Sequence, residues 1–83
     1  MKIYKYQIYS YKCKIEMPAG SKILALQIRE GIPCIWALVN PKKHPVIRTF
    51  ITYITGEEVS LTDDYIGTYQ IGWYVGHVFE VKS

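Results

Sequence analysis

The stretch Ile28-Arg29-Glu30-Gly31-Ile32-Pro33-Cys34-Ile35-Trp36-Ala37-Leu38-Val39 decides the fold. Two apolar runs meet there through a short Gly-containing connection, the signature of a β-hairpin. On its N-terminal side, Lys22 to Glu30 alternates and places Leu24, Leu26 and Ile28 on one face. The return strand, Cys34 to Val39, is apolar on both faces, the composition of a strand covered from both sides. It therefore belongs in the centre of a sheet or barrel.

Outward from this hairpin the same period of two persists. Residues 2 to 9 set Tyr4, Tyr6 and Ile8 against Lys5 and Gln7. Cys13, Ile15 and Met17 alternate with Lys12, Lys14 and Glu16, as a second strand or as a continuation after a bulge at Tyr9-Ser10-Tyr11. Asn40-Pro41-Lys42-Lys43-His44-Pro45 is a solvated loop, because its two prolines cannot donate to a ladder. Val46 to Thr55 resumes alternation. The polar stretch from Gly56 to Asp64 predicts a single helical turn capped by Ser60. Tyr65 to Val81, broken by Gly67, Gly72 and Gly76, predicts a hairpin turning near Gly72-Trp73 with a bend or bulge elsewhere. The expectation is an all-β domain spanning residues 1–83, a small antiparallel sandwich or partly open barrel of six or seven strands.

Composition narrows the function classes. At 83 residues the chain is one small domain, and a monomer of this size buries only about 63% of its unfolded surface. An enclosed ligand cavity is hard to fit, so a small-molecule site is expected on an open face or between subunits, with a homo-oligomer compensating for the small core. The six-residue apolar run is too short for a membrane helix and no signal core follows Met1-Lys2, so a cytoplasmic location and no membrane partner are expected. Cys13 and Cys34 read as buried small hydrophobes. Up to residue 50 nine Lys/Arg face two acids; from residue 51 one Lys faces five. If folding preserves that asymmetry, it yields one cationic and one acidic face.

No phosphate-binding glycine loop, nucleophile elbow or paired-histidine helix appears in the sequence, so no enzyme and no cofactor are expected. His77 and Glu80 are three apart, which on a strand points them to opposite faces and rules out a shared metal. Lysines interleaved with tyrosines, as in Lys2-Ile3-Tyr4-Lys5-Tyr6, suit phosphates and stacked bases, though tyrosine is also an ordinary strand residue.

Met1-Lys2-Ile3-Tyr4-Lys5-Tyr6, Met17-Pro18-Ala19-Gly20, Pro33-Cys34-Ile35-Trp36-Ala37-Leu38-Val39, Arg48-Thr49-Phe50, Tyr65-Ile66-Gly67-Thr68 and His77-Val78-Phe79-Glu80 together resemble a family of short hypothetical proteins of bacteriophages and prophage regions. The resemblance implies a viral setting in a bacterial host cell and a stand-alone β domain, and it supplies no catalytic residues. Such proteins often carry an acid after the Trp-Ala-Leu-Val run, where this chain has Asn40.

The function expected from these readings is a non-enzymatic phage accessory protein of the anti-defence kind. It would act as a homo-oligomer that sequesters an anionic nucleotide-type signal or caps a host protein. Trp36, Arg48 and His77 are the candidate ligand site, Arg48 binding an anion bidentately and Trp36 stacking on a ring, with Lys42, Lys43 and Trp73 completing the set. The alternatives are an OB-like module for single-stranded nucleic acid and a virion assembly protein.

Overall fold

The computed structural model describes residues 1–82 and contains no helix among them. Seven antiparallel strands follow one another: β1 (Lys2–Gln7), β2 (Lys12–Pro18), β3 (Lys22–Arg29), β4 (Ile32–Val39), β5 (Pro45–Ile54), β6 (Asp64–Ile71) and β7 (Tyr74–Glu80). They form a three-stranded sheet, β1-β4-β3, and a four-stranded sheet, β2-β5-β7-β6. The two are layered as a sandwich and do not close into a barrel. The chain switches sheets after β1, β2 and β4, so Tyr9-Ser10-Tyr11 is a crossing between layers rather than a bulge within one strand.

Turn chemistry fixes the two hairpins. Glu30 and Gly31 both adopt positive φ (54° and 79°), the I′ geometry whose twist matches the strands it joins. Gly72 takes φ 59° at the first turn position before Trp73. Both hairpins lie where the sequence placed them.

The inner faces supply the core: Cys13, Ile15 and Met17 from β2, Ile35 from β4, Phe50 from β5 and Val78 from β7, closed off by Ile8. Alternation on β2 is complete, with each of its lysines exposed and each apolar residue before Pro18 buried. On the β3/β6 side the layers touch where Leu26 lies over Gly67; a methyl there would come within 3.2 Å of Leu26 Cδ2. Tyr69 lies across Gly76, its cross-strand partner, in the same way. On the opposite side, between the free edges of β1 and β2, the sandwich is open.

Four details differ from the sequence reading. Leu24 leaves the face it was expected to share with Leu26 and Ile28, because the register shifts between Ile23 and Ala25. β4 is central in its sheet, yet its outer face has no covering layer: Cys34 is buried there, while Trp36 and Leu38 remain partly exposed. The segment after β5 makes no helical turn; Ser60 instead holds a turn in which its Oγ accepts from the Thr62 amide and its carbonyl accepts from the Asp63 amide. That segment carries the chain from Ile54, opposite Gly76, to Asp64, opposite Glu80, so it crosses the outer side of β7. Finally, the lysines of the first half do not form one cationic face. Cross-strand register sets Lys5 and Lys22 on the outer side of the three-stranded sheet, and Lys12 and Lys14 on the outer side of the four-stranded one.

Candidate functional site

The residues singled out from the sequence occupy different surfaces. Trp36 faces outward from β4, opposite Lys5 of β1 and Ala25 of β3. Arg48 faces inward from β5, the reverse of what exposed arginines and buried tryptophans ordinarily do. Its guanidinium is engaged bidentately, by the carboxylate of Glu80: Nε donates to Oε2 at 2.6 Å and Nη2 to Oε1 at 2.8 Å. Nη1 donates to the carbonyl of Ser21, at the entry to β3. One side chain thus ties the two layers together. The hydrogen bonds that Arg48 donates to Glu80 push the guanidinium pKa up, against the opposing effect of burial. An anion could bind Arg48 only by displacing Glu80, so the geometry does not join Trp36, Arg48 and His77 in one site.

His77 lies on the outer face of β7, and Glu80 points inward three residues later. The imidazole is fixed at both nitrogens, Nε2 to Thr55 Oγ1 at 2.8 Å and Nδ1 to Thr68 Oγ1 at 3.0 Å, and Thr68 continues to the Tyr65 hydroxyl at 2.6 Å. Tyr53 and Tyr65 meet Phe79 edge to face, with centroids 5.7 and 5.4 Å apart. Val59 of the crossing segment joins this aromatic cluster around a shallow hollow of about 230 Å³. Trp73, 91% exposed at the hairpin tip, borders a second hollow of similar size that shares Ile54 and Thr55 with the first. Acids rather than bases surround this region, since residues 55 to 64 include Glu57, Glu58, Asp63 and Asp64 and no Lys or Arg.

The open side of the sandwich holds a larger concavity than either of these hollows. Between the β1 and β2 edges lies a cleft of about 360 Å³, inside the usual range for small-molecule sites. Tyr4 and Tyr6 form one wall, their rings edge to face at 6.4 Å. Met17 and Pro18 form the other, and Pro41, Lys43 and Pro45 come from the loop that closes one end, with Glu16 at the rim. Burial, and after it the neighbouring Tyr4, push the Tyr6 hydroxyl above its ordinary pKa. The loop is preset: the Lys42 amide donates to Asn40 Oδ1 at 3.1 Å, the Lys43 amide to the Asn40 carbonyl at 3.0 Å, and the Ala19 amide to the His44 carbonyl at 2.8 Å. Asn40 therefore acts as a turn former. Pro18 faces Pro45 where the β2–β5 ladder ends, because neither can donate a further bond.

Of the sequence candidates only Lys43 lines this cleft. Tyr4 and Tyr6 were legible as a strand face, but that the face fronts an opening depends on how two edge strands sit. The family model described as a domain of unknown function (DUF7352) matches residues 1–83. The chain belongs to the DUF7352 family. No curated protein and no solved structure matches it. Among the described residues of this DUF7352 protein no group of three or more His, Cys, Asp or Glu could hold a metal ion.

Proposed function

We propose that this DUF7352 protein is a non-enzymatic binding protein, and that its ligand is an anionic, ring-bearing small molecule of the nucleotide class, held in the cleft between β1 and β2. The observation carrying the reading is the pairing, in one concavity of about 360 Å³, of two tyrosine rings and three prolines with Lys43. A planar ring gains by packing on Tyr4, Tyr6 and the proline rings, while the Lys43 ammonium favours a phosphate and offsets the Glu16 carboxylate at the rim. The cleft holds no nucleophile–base pair, which suits sequestration rather than turnover. Such a role fits an anti-defence protein of the phage kind that the sequence resembles, acting inside a bacterial cell by withdrawing a nucleotide signal.

Isothermal titration calorimetry against a panel of mono-, di- and cyclic nucleotides tests this directly. Binding that falls at least about tenfold, or about 1.4 kcal/mol, in both Lys43→Ala and Tyr6→Ala is the expected result. Binding that both variants leave unchanged, or no binding across the panel, would remove the cleft from consideration.

A second reading, a surface for single-stranded nucleic acid, draws on Tyr9 and Tyr11, which are 64% and 70% exposed beside Lys12 and Lys14. Affinity that rises with oligonucleotide length and drops steeply with salt would favour it over the cleft.

A further inference from the structure

The outer side of the three-stranded sheet and the segment joining β5 to β6 are opposites in charge and alike in apolarity. By register, β4 shows Cys34, Trp36 and Leu38 on the sheet's outer side, and Ile3 stands opposite Leu38, 62% exposed. Leu24, the extra residue where the β3 register shifts, is 45% exposed while Ile23 and Leu26 pack on the core. The charged side chains that β1, β3 and β4 set on this side are Lys5, Lys22 and Arg29, and none is an acid. On the other side of the slab, the β5–β6 segment presents Leu61 to solvent, completely exposed, among Glu57, Glu58 and Asp63.

We propose that copies of this chain associate head to tail, the Leu61 segment of one copy seated on the Trp36–Leu38 face of the next. Either like-with-like arrangement is disfavoured. Two sheet faces would bring Lys5, Lys22 and Arg29 against the same cations, and two β5–β6 segments would oppose their carboxylates. The mixed contact places Leu61 on an apolar floor and three carboxylates on a basic rim. It also supplies the cover that a strand apolar on both faces calls for. Space suffices, since the slab measures 40 × 31 × 17 Å and a standard interface takes about 800 Å² from each partner. Because the two patches differ, the contact is heterologous, and repetition builds an open chain or a ring. The contact does not involve the cleft and stands or falls separately from it.

The test uses two variants of the full chain, each altered only at exposed positions: Lys5→Glu/Lys22→Glu blocks the sheet face, and Leu61→Asp, which would set a carboxylate on the apolar floor, blocks the segment without giving the acidic face of the first variant a cationic partner. Thermal melting confirms that both fold. In sedimentation velocity from low to high micromolar concentration, the wild-type mass should climb, each variant alone should stay monomeric, and an equal mixture should double in mass and stop there. The mixture stops because one intact face meets one intact segment. Added salt should shift the wild type back toward monomer. A wild type that stays monomeric throughout overturns the proposal, as does a mixture that fails to pair. Loss of single-stranded oligonucleotide binding in the sheet-face variant of a monomeric protein would assign that face to nucleic acid instead.

Discussion

Replacing Glu80 by Gln should destabilise the protein more than any other single-atom-scale change. The carboxylate accepts two charge-assisted bonds from Arg48, whose third direction is taken by the Ser21 carbonyl of the opposite layer. Gln keeps the volume but offers one acceptor where there were two, and it leaves the guanidinium without a counter-charge. Breaking a fully buried pair costs about 3–5 kcal/mol. Here the side chains retain 20% and 9% of their exposure, so Arg48 can partly rehydrate, and about 2–3 kcal/mol is the appropriate figure. A domain of this length loses about 4–8 °C in Tm per kcal/mol, so thermal denaturation followed by circular dichroism should show a fall on the order of 10–20 °C. The double variant Arg48→Met/Glu80→Leu removes both charges together and should recover most of that loss, because the desolvation cost disappears with them. A Glu80→Gln protein melting within about 2 °C of wild type would refute the view that this pair ties the layers.

Further expectations follow from the packing and from the buried titratable groups. A Cβ at residue 76 would lie 2.6 Å from Tyr69 Cζ and 2.8 Å from Thr52 Cγ2, so Gly76→Ala should cost about 1–3 kcal/mol in urea melts; at Gly67 only the flexible Leu26 must give way, and an equal loss there would undo the argument. Burial raises Cys13 above its ordinary 9.0, and raises Tyr6 and Tyr69 above 10.0, helped by Tyr4 and Tyr74 respectively. Folding therefore favours their protonated forms, a contribution fully present below those ordinary values and lost as pH rises through the raised ones. Urea midpoints should decline above about pH 9, and a flat profile up to about pH 10.5 would contradict this. Both thiols are buried, so native protein should react with a thiol reagent orders of magnitude more slowly than urea-unfolded protein, while rapid native labelling would show that the sandwich opens.

Much of the architecture was legible because this chain is locally consistent. Period-two alternation marks β2, the Glu30-Gly31 and Gly72-Trp73 turns mark the two hairpins, and the apolar composition of β4 points to its central place in its sheet. The opposite facing of His77 and Glu80 also follows from strand geometry alone. The site was less legible. A charged residue in a largely apolar strand, as Arg48 is, reads as exposed or ligand-binding unless its partner is known, and Glu80 lies 32 residues away. The cleft arises where two edge strands of different sheets fail to meet, which no local pattern encodes. Asn40, notable in sequence for not being an acid, turned out to shape the loop that carries Lys43. The charge asymmetry of the two halves was real in sequence but was divided by the chain's three sheet crossings.

The central claim is that the β1–β2 cleft takes an anionic ring ligand, and the most direct measurement is an amide chemical-shift titration of isotopically labelled protein with the nucleotide panel. Shifts concentrated at Tyr4, Tyr6, Met17 and Lys43 that saturate with one ligand are the predicted result. Shifts confined to the Trp36 face or the His77–Trp73 region, or none at all, would contradict it.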